Sequence, residues 1–436
     1  MLKSLSSIST GARRFTAVFG GIALGLGVVA LGPASASSSS SSASASSPAA
    51  AARWVASWAA SPMSGTTGFS NQTVRNIVYT SVGGSSLRVR LSNTFGSAPL
   101  VVGAATVGVV LDGAQLVPGT SRHLSFGGKT SVTIPAGAQL LSDPLAMRVQ
   151  PLEELAVSVY LPDATGPATN HSDAQQNNYI ASGNHAGAAA ATAYTTTTGS
   201  WYYVDGLDVR SSTADGTIVA FGDSITDGHQ SLVGSNARWP NYLARRLGAL
   251  FGNRAPGVVD EGISGNRVLS DSSCFGVSAE ARFERDALSQ PGVKAVILLE
   301  GINDIGFAGD ADSGCFAPTN PTVTPAQIEA GYLVLIKMAH AHGVKIYAGT
   351  LTPFAGSNPT YGGYDGTAKG EAMREQVNNW IRTSGAFNGV IDFDRATADP
   401  YDAQYLNPVY NSGDSLHPDD VGYEAMADTI PLRFVR

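Results

Sequence analysis

At Gly216 the pattern of apolar residues changes its period, and that change limits what each side of it can fold into. Downstream, five short apolar runs begin near Thr217, Val258, Ala295, Lys345 and Val390. Segments with helical spacing alternate with them, near Trp239–Phe251, Ser278–Ser289, Ala326–His342, Gly370–Thr383 and Asp420–Thr429. Regular alternation of strand and helix predicts a parallel sheet with helices on both faces. The expectation for residues 215–436 is therefore an α/β domain of three α/β/α layers around a five-stranded sheet, with the flavodoxin-like order 2-1-3-4-5.

Upstream, from Arg53 to about Ala214, the period is two. Leu87-Arg88-Val89-Arg90-Leu91, Val132-Thr133-Ile134 and Ala156-Val157-Ser158-Val159-Tyr160-Leu161 alternate between apolar and polar, and Gly, Ser, Pro and Asn punctuate them at short intervals. Helical spacing is scarce there. Residues 53–214 are predicted to form an all-β domain, a sandwich of jelly-roll type, with Ser211–Gly216 as the joint.

Four short polar segments fall where the α/β half should carry chemistry, at strand ends and in the C-terminal loop. Phe221-Gly222-Asp223-Ser224-Ile225-Thr226-Asp227-Gly228 follows the first run, Gly262-Ile263-Ser264-Gly265-Asn266-Arg267 the second and Gly301-Ile302-Asn303-Asp304-Ile305-Gly306 the third, while Asp414-Ser415-Leu416-His417-Pro418 lies near the C-terminus. In open α/β sheets reacting groups gather in the crevice at the carboxyl ends of the strands. Together these blocks resemble those of the SGNH/GDSL hydrolase superfamily, whose serine, glycine, asparagine and histidine correspond to Ser224, Gly265, Asn303 and His417. The resemblance covers roughly residues 216–436, with all four blocks in order; Ile225 replaces a leucine, one apolar residue for another.

The residue types point to the same chemistry independently. A serine hydroxyl is a poor nucleophile at neutral pH and needs a neutral imidazole to take its proton, for which His417 is the candidate. Asp414, three residues earlier, can accept the Nδ1 proton and fix the tautomer. The backbone N–H groups of Ser224 and Gly265 and the side-chain amide of Asn303 are candidate donors to an oxyanion, each worth roughly 3–4 kcal/mol in comparable sites. A glycine at position 265 lets substrate approach its N–H.

Each residue also has a plainer reading. Ser224 or Asp223 could cap a helix, Gly265 could be a turn residue, Asn303-Asp304 a loop, and Asp414 a turn former before the Pro418-Asp419-Asp420 helix start. Four loops supplying these groups in this order favour the catalytic reading. His229 is a competing base close to Ser224, expected to face away or line the rim, and Asp394 is an alternative acid to the preferred Asp414. His340 and His342 suit a helix C-terminus capped by Gly343, and no cluster has convincing metal spacing. The scheme needs no cofactor.

Residues 1–36 read as a secretory leader: Lys3, Arg13 and Arg14, an apolar glycine-containing stretch from Ala17 to Leu31, then Pro33-Ala34-Ser35-Ala36. The stretch is shorter than the roughly 20 residues that span a bilayer, so stable membrane insertion is not expected. General secretory export is favoured, because Phe15 follows Arg13-Arg14 without the spacer of a twin-arginine signal. Residues 37–52, almost entirely serine and alanine, read as a tether. With Lys3, Arg13 and Arg14 removed from the 27 Lys+Arg, 24 remain against 34 Asp+Glu, a net of −10 that argues against a nucleic-acid partner or docking on an anionic membrane. Export also suits a Cys274–Cys315 disulfide, whose loop the chain-entropy model values at roughly 4 kcal/mol.

The function these readings imply is a secreted serine esterase acting through an acyl-enzyme on Ser224. Its expected partner is a small-molecule, lipid or polysaccharide ester; the β-domain-first arrangement resembles some two-domain carbohydrate esterases of the superfamily, and that resemblance implies a carbohydrate acetyl ester. Lipase, phospholipase and feruloyl esterase activities share the same machinery. A carbohydrate-binding adhesin with an incidental hydrolase domain is the reading of another class. Because every block lies after Gly216, and His123, His171 and His185 stand in no recognisable block, the β-domain is expected to shape access without supplying catalytic groups. Acyl length, alcohol portion and oligomeric state have no signature in the sequence.

Overall fold

The computed structural model describes residues 51–308, 315, 321–357, 360 and 364–435; the predicted leader and nearly all of the predicted tether lie outside them. Ala49–Arg436 form one compact unit. Its α/β part is built on five parallel strands in the spatial order Gly257–Gly262, Thr217–Gly222, Val293–Leu299, Lys345–Gly349 and Val390–Ile391, the 2-1-3-4-5 order expected. All six residues of the strand Thr217–Gly222 are buried, as a strand covered on both faces must be. The order reverses between the first and third strands in sequence, and the crevice at that point receives the Gly222–Ser224 turn.

Helices occupy Trp239–Phe251, Pro325–Ala341, Ala368–Thr383 and Asp420–Thr429, close to the segments predicted. Two expectations change. The single helix over Ser278–Ser289 is an α-helix at Ala279–Phe283 that widens into a π-helical turn at Glu284–Leu288, with Arg282 and Asp286 buried 3.6 Å apart. The last strand is only Val390–Ile391, because the Asp392 side chain accepts from the Arg395 N–H and starts a short helix, Phe393–Thr397. Three one-turn helices, this one with Ser224–Asp227 and Ile302–Gly306, were invisible to periodicity because each is too short to repeat.

A strand-rich N-terminal domain precedes the α/β part. One antiparallel sheet runs Arg53–Ala59, Val204–Ser211, Leu87–Ser92, Gln139–Leu141; a larger one runs Tyr194–Thr198, Asn178–Ser182, Gln72–Tyr79, Glu154–Leu161, Ala104–Asp112, Gln115–Leu116. Inward residues such as Val55, Val89, Leu91, Val74, Val78 and Val157 belong to the same apolar core as Ile218–Phe221 and Val296–Leu299, so the core is continuous across the two parts. The join is also polar. Ala56 N–H donates to Pro291 O at 3.1 Å, Ser81 Oγ accepts from Val258 N–H at 3.0 Å, and Ser61 Oγ donates to Glu261 at 2.7 Å. At Gly257 a Cβ would lie 2.1 Å from the Ala56 carbonyl oxygen, so glycine is what lets the two backbones meet there.

Candidate active site

Gly222 ends its strand so close to the next one that a Cβ would sit 2.2 Å from Leu299 O. The chain then turns directly into the helix Ser224–Asp227. Of the two candidate caps it is Asp223 that acts, Oδ1 accepting from the Ile225 N–H at 3.0 Å. The Ser224 hydroxyl is thereby left to other partners. It lies 2.8 Å from His417 Nε2, and His417 Nδ1 lies 2.6 Å from Asp414 Oδ2. Asp414 and His417 reach each other because Ser415 adopts a left-handed backbone, φ 62°, with its N–H held by Asn411 Oδ1 at 3.1 Å. The other oxygen of Asp414 accepts from the Leu416 and His417 N–H groups, both at 2.8 Å.

These bonds fix protonation. Burial alone would raise the Asp414 carboxyl, but the His417 ring and the two backbone N–H groups hold it well below the usual carboxylate range. Burial is the largest influence on His417 and lowers its pKa despite Asp414. The imidazole is therefore neutral at neutral pH, with its proton on Nδ1 facing the carboxylate and an open lone pair on Nε2 facing the serine.

The second and third blocks are tied to the first through their neighbours. Ser264 N–H donates to Asp227 Oδ2 at 3.1 Å, three residues beyond Ser224, and Asn303 Nδ2 donates to Asn266 O at 3.0 Å. Gly265 lies between Ser264 and Asn266. It needs to be glycine on two counts, φ of 78° and a Phe275 ring carbon 2.3 Å from where a Cβ would stand. The second reason concerns protein packing rather than the substrate access expected. Tyr364 Oη donates to Asn303 Oδ1 at 3.0 Å, which orients the amide. One of its two N–H groups is used on Asn266, and among the described residues the other has no acceptor, nor do the backbone N–H groups of Ser224 and Gly265. Phe275 stacks on Phe307 at 5.6 Å and Phe307 meets Tyr364 edge-on at 4.8 Å, an aromatic wall beside these donors.

Beneath the site a residue overlooked in the sequence, Arg282, links three strand ends. Fully buried, it donates to Asn266 Oδ1 at 2.9 Å, Ser61 Oγ at 2.9 Å, Glu261 O at 2.7 Å, Gly222 O at 2.7 Å and Glu300 Oε2 at 3.3 Å. An arginine at helical spacing with Ala279 and Phe283 was the available signal. Asp304 is a second anchor, its two oxygens accepting from Val268 N–H at 2.8 Å and Leu269 N–H at 3.1 Å.

Other candidates separate clearly. Asp394 is bound to Arg374 at 2.7 Å and Arg382 at 2.5 Å, not to His417. His340 and His342 pair with Asn388 and Glu284 at 3.0 and 3.1 Å. His229 does not face away. Its ring meets that of His417 edge-on, centroids 4.6 Å apart, and its Nδ1 lies 2.6 Å from Asp173 Oδ2. The strand-rich domain, expected to shape access without supplying catalytic groups, borders the site through Asp173, and through His171, which bonds Asp227 at 3.0 Å. Cys274 and Cys315 are joined in a disulfide as expected, next to Phe275.

A nucleophile-elbow-like turn on a flavodoxin-like sheet, with a serine, an imidazole and a carboxylate in line, defines the class of α/β/α serine hydrolases. Residues 220–425 match the GDSL-like Lipase/Acylhydrolase family. Residues 220–425 thus form a GDSL-like lipase/acylhydrolase domain, the domain of a serine ester hydrolase. Similar solved structures include an acetylxylan esterase from Geobacillus stearothermophilus, with 21% identity, covering 51% of this chain and 95% of that one at a TM-score of 0.38. A GDSL-like lipase from Bacteroides thetaiotaomicron VPI-5482 gives 17% identity, 50% and 88% coverage and a TM-score of 0.36. LAE5, an alpha/beta hydrolase enzyme from the metagenome of Lake Arreo, Spain, gives 22%, 50% and 94%, and 0.37. A comparison with curated protein sequences gives no match.

Proposed function

We propose that the protein is a secreted esterase that uses Ser224 as nucleophile, His417 as general base and then general acid, and Asp414 to orient the imidazole. The observation that carries this reading is the aligned pair of hydrogen bonds from Ser224 Oγ through His417 to Asp414, 2.8 and 2.6 Å. As Ser224 Oγ attacks the ester carbonyl, its proton passes to His417 Nε2. The tetrahedral oxyanion takes hydrogen bonds from the Ser224 and Gly265 N–H groups and the Asn303 amide. Collapse breaks the bond to the alcohol oxygen, which leaves with the proton from His417. Water then repeats the cycle on the acyl-enzyme, giving the acid and restoring the serine.

On the substrate, we favour a short acyl group, acetyl, carried by a carbohydrate. The short acyl is supported by the aromatic Phe275–Phe307–Tyr364 wall packed against Gly265 and Asn303. Export is supported by the leader-like pattern of residues 1–36 and by the disulfide. The test is acetate release from acetylated polysaccharide, alongside aryl acetate, octanoate and ferulate esters, by wild type and Ser224→Ala. Preference for acetate esters, abolished in Ser224→Ala, is expected. Preference for octanoate would replace the short-acyl reading with a lipase.

A further inference from the structure

The segment Thr169–Gln176 of the strand-rich domain lies beside the active site, and two of its contacts there pair an imidazole with a carboxylate. His171 is buried, with Nδ1 3.0 Å from Ser61 O and Nε2 3.0 Å from Asp227 Oδ1. A carbonyl and a carboxylate only accept, so both ring nitrogens carry protons and the ring is an imidazolium. Burial opposes that charge, but the Asp227 carboxylate outweighs it and raises His171 to about 9. Two residues on, Asp173 Oδ2 lies 2.6 Å from His229 Nδ1 and 2.7 Å from Ser264 Oγ, while Gln175 Nε2 donates to Oδ1 at 2.7 Å. The Ser264 hydroxyl also lies 3.0 Å from Asp227 Oδ2, so it bridges the two carboxylates. His229 N–H donates to Ser224 O at 2.9 Å, and its carbonyl accepts from Tyr423 Oη at 2.6 Å.

Each held atom adjoins a working part. Asp227 closes the helical turn that Ser224 opens, Ser264 precedes Gly265, and His229 packs on His417. An interface that had only to be stable would do as well with apolar contacts as with a buried and a partly buried carboxylate set against two imidazoles. We infer that His171 and Asp173 are positioning residues of the active site, supplied by the strand-rich domain, which fix Asp227, Ser264 and His229 and through them the Gly265 turn and the His417 ring.

This deepens the proposed function and rests on its reading of Ser224 and His417. It also has an electrostatic consequence. The charged groups facing His417 are Asp414 from its own loop, His229 from the segment after the nucleophile, and Asp173 from the strand-rich domain, with Asp227 and Tyr423 behind His229. Charge on His229 opposes protonation of His417, and the Asp173 and Asp414 charges favour it. Replacing His229 by glutamine removes the charge that opposes protonation of His417 and keeps Asp173 and Asp414, so the pKa of His417 rises and the acid limb of activity moves to higher pH.

The experiment compares Asp173→Asn, His171→Gln, His229→Gln and Ser224→Ala in the full chain, on an aryl acetate from pH 5 to 9. In folded Asp173→Asn and His171→Gln, kcat should fall about 10–100-fold with KM nearly unchanged, the effect of a small misplacement of reacting groups. His229→Gln, at a half-exposed position, tests the inference even where the buried variants fail to fold, and its acid limb should shift up. Wild-type kcat in folded Asp173→Asn and His171→Gln with only a lower Tm, or an unmoved limb in His229→Gln, overturns the inference. Ser224→Ala separates the two levels: turnover there would defeat the proposed mechanism itself, whereas its loss beside full activity in Asp173→Asn would defeat the positioning role alone.

Discussion

Replacing Asp414 by asparagine should cost about 10⁴-fold in kcat without unfolding the protein, and the hydrogen bonds around it say why. Oδ1 of Asp414 accepts from two backbone N–H groups at 2.8 Å, and only an oxygen can do that. An asparagine must therefore keep its carbonyl toward Leu416 and His417 N–H and turn its NH₂ toward His417 Nδ1. A donor now meets Nδ1, so the neutral ring places its proton on Nε2, pointing at Ser224 Oγ 2.8 Å away. The imidazole can no longer accept the serine proton, and the positive charge formed during attack has lost its carboxylate. The assay is the initial rate on an aryl acetate at pH 7–8, with circular dichroism and Tm confirming the fold. A folded variant that loses less than tenfold would refute the argument that Asp414 sets the tautomer.

Asn303→Ala should lower kcat by roughly 10²–10³ with little change in KM, since the amide is proposed to serve the oxyanion rather than the ground-state carbonyl; steady-state kinetics showing a raised KM at constant kcat would make it a binding residue. Arg282→Met should destabilise by about 3–5 kcal/mol in denaturant unfolding, because Glu300 stays buried without its charge partner, and a loss under about 1 kcal/mol would contradict that. His171 gives stability a pH dependence: its folded pKa, about 9, lies above the ordinary imidazole value near 6.5, so its contribution is complete below pH 6.5 and is lost as pH rises through 9. Tm should therefore fall over that window in the wild type and less steeply in His171→Gln, and parallel curves would contradict it.

The α/β half was legible in the sequence because its signals are local. Apolar runs mark the strands, and the first three blocks each sit directly on the end of one, so Ser224 and Asn303 could be placed at strand ends from the sequence. Asp414 and His417 are three residues apart, within reach of a single turn. What stayed hidden depends on residues distant in sequence. Asp173 meets His229 and Ser264, and His171 meets Ser61 and Asp227, across a domain join that no periodicity encodes. Arg282 looked like one more helical position, and only the folded chain brings Gly222, Glu261 and Glu300 around it. Gly265 was recognised, but the Phe275 ring that requires it belongs to the disulfide loop.

The central claim is that Ser224 is the nucleophile, and covalent labelling tests it most directly. A serine-directed organophosphorus probe reacts where an imidazole has activated a hydroxyl, and Ser224 alone among the described serines lies within hydrogen-bond distance of a histidine ring with its lone pair turned toward it. Peptide mapping of the inhibited protein should find a single adduct on Ser224, absent from Ser224→Ala and strongly slowed in His417→Ala. Inhibition with the adduct on another serine, or rapid labelling of Ser224 without His417, would contradict the account.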